Sequence, residues 1–261
     1  MATVLCVSNQ KGGVGKTTTS NALTVGLAAR KMRVLAVDFD PQGNLSFGLG
    51  AQRPAEDQRT IYQLLKKETS FSETVQHMPG GFDVLAANLL LSALDIEFTG
   101  AGREFLLRQA LAPVAARYDV ILVDTPPDLG LLTINAFTAS DYIIIPVLCD
   151  MYSLQGLIQL NSTLRQVRMR SNPGIQVAGV LLNRYSRRES ISRVVSETAG
   201  SIAQSLGMPV FDTVIHSSVA VTQAQVQQEN MLRTGRRSRA VSDYRQLVTE
   251  LFRREVLKAN G

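Results

Sequence analysis

The sequence has few cysteines and no apolar stretch of membrane-spanning length, and both shortages limit what the protein can be. Its two cysteines, Cys6 and Cys149, lie in apolar, strand-like segments. A buried free thiol is expected there rather than a disulfide or a cluster ligand. The longest apolar run, residues 142 to 149, is far shorter than a membrane span. The first residues, MATVLCVSNQ, begin a strand-like pattern without a basic leader. We therefore expect a cytoplasmic protein.

Positive charge is concentrated in the last hundred residues. Residues 1 to 160 contain 12 Lys/Arg and 15 Asp/Glu, a net charge of −3. Residues 161 to 261 contain 15 and 7, a net charge of +8, and nearly all of the basic residues there are arginines. Many basic faces are merely solvated, but an excess on this scale favours a polyanionic partner.

Short β-rich runs alternate with helical patterns along the whole chain. Strands are predicted at residues 3–8, 33–39, 82–87, 119–125, 141–147 and 176–183. Continuous apolar runs of this kind suit parallel strands that are covered on both faces. Helices are predicted at residues 17–32, 154–169, 190–207 and 240–258, the second with a stripe of Leu154, Leu157, Ile158 and Leu164. No repeat or linker divides the chain, so we expect residues 1–261 to form a single doubly wound α/β domain of the P-loop NTPase type, with a mostly parallel central sheet flanked by helices.

A glycine-rich loop lies between the first predicted strand and the first predicted helix. The ordinary phosphate loop reads G-x-x-x-x-G-K-[ST], and Gln10 stands where its first glycine belongs. The remaining glycines still let backbone N–H groups curl around phosphates, and the helix start adds its positive end. A glycine-rich turn without a ligand is the less favoured interpretation. The predicted nucleotide-binding residues are Lys11, Gly12, Gly13, Val14, Gly15, Lys16, Thr17 and Thr18, with Lys16 on the β- and γ-phosphates and the Thr17 hydroxyl on Mg²⁺.

Two further segments supply carboxylates for the same site. The run VILVDTPP ends a predicted strand with Asp124, the Walker B arrangement in which a carboxylate steadies Mg²⁺ through water. The run VLAVDFDPQGN places Asp38 and Asp40 two residues apart, on one side of the chain if the backbone stays extended. An Asp- and Gly-rich turn is the alternative there. We predict that Asp40 orients the attacking water and that Asp38 supports the metal.

These segments together resemble the deviant Walker A ATPases of the ParA/Soj partition family, which is related to MinD. The resemblance rests on KGGVGKTTT, VDFDPQGN and VILVDTPPDLGLLTINA, and extends through GVLLNRYSRR and SRAVSDYRQLV. It implies ATP and Mg²⁺ as cofactors and a homodimer that sandwiches two ATP molecules. Lys11 would then reach the phosphates held by the other subunit, which is a catalytic role alongside Lys16 and Asp40; the alternative is a solvated loop lysine.

The resemblance also suggests residues for the base and for DNA. Asn183 matches the asparagine whose amide reads the adenine edge in this family. The family's I-P-R-N segment is replaced here by VIHSS, which lacks both its proline and its arginine; His216 is therefore expected to be a pocket or surface residue rather than a catalytic one. The predicted DNA-binding residues, which would contact backbone phosphates, are Arg187, Arg188, Arg193, Arg237 and Arg239.

The function implied by the resemblance is an ATP-dependent dimeric switch. In its ATP state it would bind DNA nonspecifically near the nucleoid, and a ParB-like adaptor with a basic peptide would stimulate its slow hydrolysis to segregate chromosome or plasmid DNA. Three alternatives differ in cargo or chemistry: a ParA-like positioning ATPase for a non-DNA cargo, a MinD-like membrane-cycling ATPase, and an iron–sulfur carrier. The expected domain has neither an N-terminal helix-turn-helix nor a C-terminal membrane-targeting helix, which disfavours the MinD-like alternative. An iron–sulfur carrier would need paired cysteines that this sequence does not offer.

Overall fold

A sheet with helices on both faces organises the protein. A computed structural model describes residues 1–52, 59–148, 151–185, 190–219, 221, 223 and 238–258, with side chains for all of these except 151–155 and 190–196. Seven strands lie in these ranges: β1 Thr3–Val7, β2 Val34–Asp38, β3 Val75–Met78, β4 Phe82–Leu85, β5 Val120–Asp124, β6 Tyr142–Leu148 and β7 Gln176–Asn183. Their order across the sheet is β3-β4-β2-β5-β1-β6-β7. Only the edge pair β3–β4 is antiparallel, so the predicted α/β class with a mostly parallel sheet is confirmed.

Ten α-helices accompany the sheet in the described ranges. They are α1 Lys16–Ala28, α2 Asn44–Gly48, α3 Ile61–Leu65, α4 Phe71–Thr74, α5 Leu94–Glu97, α6 Leu106–Leu111, α7 Leu131–Ala139, α8 Met151–Arg170, α9 Ser190–Ser205 and α10 Arg239–Arg253. The six predicted strands and the four predicted helices are all present. The last helix ends at Arg253, five residues earlier than predicted, and Glu255 beyond it has a positive φ of 58°. Strand β3 and the short helices were not predicted.

Two apolar clusters cover the faces of the sheet. Side chains alternate along β1, so that Leu5 and Val7 join one cluster while Cys6 joins the other. The first cluster also receives residues from α1 and α10, and the second from α6, α7 and α8. Cys6 is a fully buried free thiol, as expected, and burial raises its pKa. Cys149 lies outside the described residues.

The predicted apolar stripe of α8 is partly wrong. Leu157 and Leu164 are fully buried, as predicted, but Ile158 is 55% exposed. Leu160 is buried in its place. The spacing of 157, 160 and 164 follows one face of a helix, whereas residue 158 lies about 100° away from residue 157. The side chain of Leu154 lies outside the described set.

The parallel strands carry their functional residues to one edge of the sheet. Val7 of β1 and Asp38 of β2 are both register partners of Asp124, the last residue of β5. The loop between β1 and α1 therefore begins beside two carboxylates. Ligands of doubly wound sheets bind at this edge. None of the described helices is both long and apolar enough to span a membrane.

Candidate nucleotide-binding site

The loop between β1 and α1 is shaped by glycine and by a contact from β7. Gly13 and Gly15 have positive φ values of 72° and 94°, a conformation that favours glycine. A Cβ on Gly15 would lie 2.1 Å from Nδ2 of Asn183. The same Nδ2 donates a 2.8 Å hydrogen bond to the carbonyl of Val14. The end of β7 thus fixes the loop from the outside, and only glycine fits at position 15.

Lys16 is the cation at the centre of this site. It is only 6% exposed, and it lines a cavity of about 460 Å³ together with the loop glycines. Its Nζ donates a 3.1 Å hydrogen bond to the carbonyl of Lys11. Burial lowers the pKa of Lys16, while the carboxylates of Asp124, Asp40 and Asp128 act in the opposite direction. A buried ammonium at the cavity that is bonded to a backbone carbonyl is well placed to neutralise phosphate oxygens.

Thr17 and Asp124 form the candidate metal site. The Thr17 hydroxyl donates to Oδ2 of Asp124 at 2.7 Å, and the Ser20 hydroxyl donates to Oδ1 at 2.8 Å. Asp124 is fully buried. Burial is the main cause that raises its pKa to about 8, and the charge of Asp38 adds to it. Ser20 was not predicted, because a serine within a helix carries no sequence signal of its own.

Asp38 lies deeper than the sequence suggested. Its Oδ2 accepts two hydrogen bonds of 2.7 Å from Ser46, one from the backbone N–H and one from the hydroxyl. Burial raises the pKa of Asp38 to about 6, although these bonds act against the shift. The carboxylate therefore holds α2 against the end of β2. It neighbours Asp124 without lining the phosphate cavity.

Asp40 lies in a turn rather than in an extended segment. Its backbone carbonyl accepts from the N–H of Gly43 at 2.9 Å, and its Oδ1 accepts from the N–H of Gln42 at 3.0 Å. The extended geometry that would have aligned Asp38 with Asp40 is thus wrong, since β2 ends at Asp38. Asp40 still lines the phosphate cavity and is 7% exposed. The turn after β2 therefore places the carboxylate of Asp40 at the phosphate cavity.

The phosphate cavity has further lining residues that sequence reasoning missed. Gln42, Asn44, Phe47, Pro127 and Arg184 complete its described wall beside Gly12, Gly13, Gly15, Lys16, Thr17, Thr18, Asp40 and Gly48. The DPQGN motif was the available signal for the first two, because it follows the strand end directly. Lys11 is not among the described lining residues. Its backbone is bound at the N–H by Oδ1 of Asn9 at 3.0 Å and at the carbonyl by Lys16.

The oxygen atoms at this site suit a magnesium ion. Mg²⁺ prefers hard oxygen ligands and is usually held by one or two carboxylates together with substrate phosphates. Thr17 lines the cavity and Asp124 lies directly behind it, so that a hydroxyl and a carboxylate are 2.7 Å apart. No group of three or more His, Cys, Asp or Glu residues is assembled for a metal in the described ranges. The residues therefore fit an ion that arrives with a nucleotide better than a permanent metal.

A second cavity adjoins the first. It has a volume of about 530 Å³ and shares Gly15, Thr18 and Arg184 with the phosphate cavity. Its other described lining residues are Asn183, Ile215, His216, Ser217, Ser218, Val219, Val221, Ala240 and Tyr244. His216 is thus a pocket residue, as one of the two expected alternatives had it. Asn183 also lines this cavity, and its role in reading the base stays a prediction.

Of the predicted DNA-binding residues, one can be placed. Arg239 is the first residue of α10 and is exposed. Arg187, Arg188 and Arg237, together with the side chain of Arg193, lie outside the described residues. Their role therefore stays a prediction.

Comparisons with known proteins agree with this geometry. A family model described as an AAA domain matches residues 2–177. The chromosome partitioning protein ParA of Myxococcus xanthus is 36% identical over 259 residues, covering 98% of this chain and 90% of that protein. The sporulation initiation inhibitor protein Soj of Bacillus subtilis is 38% identical over 253 residues, covering 96% and 98%.

One solved structure resembles the protein along its length. Cobyrinic acid a,c-diamide synthase from Mycobacterium smegmatis, with a bound ATP analogue and magnesium, superposes with a TM-score of 0.84 at 32% identity. The superposition covers 97% of this chain and 95% of that chain. ATP and Mg²⁺ are accordingly the cofactors of the site.

Proposed function

Because the chain belongs to the ParA/Soj-type partition ATPases, a family of P-loop ATPases, we propose that it is an ATP-dependent dimeric switch for segregating chromosome or plasmid DNA. In this proposal the ATP-bound dimer binds DNA nonspecifically, and weak intrinsic hydrolysis is stimulated by a ParB-like adaptor through a basic peptide. The protein would work in the cytoplasm in association with the nucleoid. Residues 1–261 would act as a single ATPase domain.

The observation that carries the proposal is the different placement of the two loop lysines. Lys16 is buried at the phosphate cavity, whereas Lys11 is not among its described lining residues. One cation in the subunit's own site is enough for a P-loop to cradle phosphates. Because Lys11 is outside the described lining of this cavity, its cation could serve the nucleotide of a partner subunit. Dimerisation would then be coupled to charge neutralisation during phosphoryl transfer.

The remaining roles follow from the contacts of each side chain. Mg²⁺ would supply charge neutralisation for the phosphates. Thr17 and Asp124 would hold it, the carboxylate through water, with Asp38 as support. Asp40 would accept a hydrogen bond from the attacking water and orient it. Asn183 keeps Val14 and the loop in place for the phosphates.

The basic C-terminal part of the chain supports a polyanionic partner. Residues 161–261 carry a net charge of +8, and Arg239 begins α10 on the surface. Arginine contacts to phosphates supply affinity without reading bases. One subunit would offer few such contacts, and a dimer would double them. ATP binding would in this way control DNA affinity.

Filter binding together with sizing tests this function. The protein is incubated with ATP, ADP or no nucleotide and with two duplexes of unrelated sequence. We expect a dimer and tight binding to both duplexes with ATP only. Binding that ignores nucleotide would contradict the switch. ATP-dependent capture by anionic lipid vesicles without DNA binding would instead indicate a membrane-cycling ATPase, and an ATP-dependent dimer that binds neither would indicate another cargo.

A further inference from the structure

The phosphate cavity and the second cavity meet at Arg184. Their described walls share this arginine together with Gly15 and Thr18. Gly15 and Thr18 belong to the phosphate loop and the first turn of α1, whereas Arg184 follows the last residue of β7. A nucleotide whose β- and γ-phosphates lie on the loop would have its nucleoside in the second cavity, which has a volume of about 530 Å³. Its α-phosphate, which joins these two parts, would then lie where the cavities meet.

Arg184 is the cation that the two cavities have in common. Among the described lining residues, Lys16 is the only other lysine or arginine of the phosphate cavity, and the second cavity has none besides Arg184. Arg184 is exposed, and its side chain has no hydrogen-bond, ion-pair or ring partner in the part of the chain that the structure describes. Its N–H donors therefore remain for a ligand. The planar fork of a guanidinium matches the oxygens of a phosphate group.

The backbone of Arg184 is held in a left-handed conformation, with φ of 54°. Residues other than glycine, asparagine and aspartate rarely adopt it, because the Cβ is crowded. The conformation is fixed from both sides: the N–H of Arg184 donates to Oδ1 of Asn183 at 3.0 Å, and the N–H of Tyr185 donates to the carbonyl of Ile215 at 2.9 Å. Asn183 is bonded in turn to Val14 of the phosphate loop. Strained residues of this kind are found preferentially at ligand sites.

We propose that Arg184 is a nucleotide-binding residue whose guanidinium binds the α-phosphate, an assignment that rests on the proposed ATPase site. Lys16 would then neutralise the β- and γ-phosphates, and Arg184 the phosphate next to the sugar. Hydrolysis leaves the α-phosphate on the nucleoside. Arg184 therefore holds ATP and ADP alike, and it contributes to nucleotide affinity rather than to the hydrolytic step.

Equilibrium binding of ATP, ADP, AMP and adenosine to Arg184→Met tests which group the arginine binds. Methionine is similar in length but has no charge. A hydrogen bond to a charged group is worth at least about 10-fold in affinity, so the three nucleotides, which share the α-phosphate, should each bind about 10-fold more weakly. Adenosine has no phosphate and should bind as before. A loss confined to ATP would indicate the γ-phosphate, and an equal loss for adenosine would indicate the sugar or the base. Either result would overturn the proposal, as would unchanged binding of all three nucleotides.

Two further variants control for charge. Arg184→Lys keeps a cation and should recover part of the lost affinity. Lys31→Met removes one positive charge from a residue that is also exposed and has a positive φ of 67°, but that lies outside the described lining of both cavities. It should leave nucleotide affinity unchanged. A loss as large as that in Arg184→Met would show a general effect of charge and would contradict the proposal.

Arg184→Asn separates ligand binding from folding. Asparagine adopts the left-handed conformation more readily than arginine, so this variant should unfold at the same urea concentration as the parent or at a higher one. It should nevertheless lose nucleotide affinity as Arg184→Met does. Unfolding at a lower urea concentration would show that the arginine side chain supports the fold, which would contradict its assignment to a ligand.

Inorganic pyrophosphate with Mg²⁺ separates a failure of this inference from a failure of the nucleotide site. It has no nucleoside, and it should bind at the loop beside Lys16 equally well in Arg184→Met and in the unmodified protein. Weaker pyrophosphate binding in Arg184→Met would assign the arginine to the β- and γ-phosphates and contradict the proposal. If pyrophosphate binds and the nucleotides are unaffected by Arg184→Met, only the role of Arg184 is wrong. If neither pyrophosphate nor ATP binds the unmodified protein, the proposed nucleotide site itself is wrong.

Discussion

Asp38 and Asp124 are register partners at the ends of adjacent parallel strands, and neither carboxylate is exposed to solvent. Their pKa values are raised, chiefly by burial, and the charge of Asp38 adds to the shift at Asp124. In the absence of metal the pair therefore retains protons that the same residues release in an unfolded chain. The stability of the metal-free protein should therefore depend on pH.

We expect the stability of the nucleotide-free protein to fall as the pH rises from about 4 towards 8. An ordinary aspartate has a pKa of about 3.9, and that of Asp124 is raised to about 8 in the fold. Between these values the folded state binds more protons than the unfolded state, so each extra proton costs about 1.4 kcal/mol of unfolding free energy per pH unit. Urea unfolding in EDTA across this range is the measurement.

Asp124→Asn should flatten that pH dependence, because the amide is neutral at every pH. The matched control is Asp95→Asn, which removes the same charge from an exposed position. A slope that is unchanged in Asp124→Asn would show that this carboxyl does not titrate within the range.

The two loop lysines should give different phenotypes. Lys16→Ala removes the buried cation of the phosphate cavity and should lower ATP affinity by about 100-fold, the value of two charge-assisted hydrogen bonds. Lys11→Ala should leave ATP affinity within about 3-fold, a difference below 1 kcal/mol, yet prevent the dimer and stimulated hydrolysis. Equilibrium nucleotide binding and sizing with ATP decide between them. Equal loss of ATP binding in both variants would show that Lys11 does not act on the nucleotide of a partner subunit.

Replacing Asp40 should trap an ATP-bound dimer. Asp40→Asn keeps an Oδ1 that can accept from the N–H of Gln42, so the turn survives while the carboxylate is lost. We expect turnover to fall by roughly 100-fold, as for loss of a positioned base, and sizing to show a persistent dimer. Asp40→Ala should behave similarly if the charge is what matters. A hydrolysis rate equal to that of the unmodified protein would mean that another residue orients the attacking water, and Asp38 would be tested next.

Two glycines of the loop should differ sharply in their tolerance of alanine. Gly15→Ala puts a Cβ 2.1 Å from Asn183 at a φ of 94°, and should lower the unfolding free energy by about 1–3 kcal/mol. At Gly12 no described atom lies within 4 Å of an added Cβ, so Gly12→Ala should be within about 0.5 kcal/mol of the parent. Urea unfolding compares the two. Equal costs at both positions would mean that Asn183 does not restrict the loop.

Neutralising Arg188 together with Arg237 should weaken binding to all DNA sequences about equally. Each phosphate contact contributes about −0.9 to the slope of log affinity against log salt, so the double substitution to alanine should flatten the slope by about 1 to 2. Filter binding with ATP over a salt series measures this. The matched control replaces Arg103 and Arg108 in the acidic part of the chain. An unchanged slope in the Arg188 and Arg237 variant would exclude these two residues from the DNA surface.

The sequence predicted the central sheet because its strands are long apolar runs. Strand β3 was missed since Val75–Met78 is short and partly exposed, and it pairs only at the sheet edge. The phosphate loop and Asp124 were also predictable, because a motif needs only local order in the chain. In α8 the error at Ile158 arose from counting apolar residues without knowing which face meets the sheet.

The sequence did not predict contacts between residues that are far apart in the chain. Asn183 and Val14 are bonded although they are 169 residues apart, and Asp243 meets His216 across 27 residues. Ser20 and Ser46 support the two buried carboxylates from helices in which serine is ordinary. Such side chains are recruited by tertiary packing, which leaves no periodic trace in the sequence.

The position of β1 within the sheet also determines when the protein can become active during its synthesis. The phosphate loop is translated before the two strands that β1 pairs with in the described sheet, β5 and β6, which begin at Val120 and Tyr142. At a translation rate of about 5–20 residues per second, the nascent loop waits for many seconds. Asn183, which fixes the loop, arrives later still. Because parallel pairing over such separations folds slowly, the phosphate loop is synthesised well before it acquires its working shape.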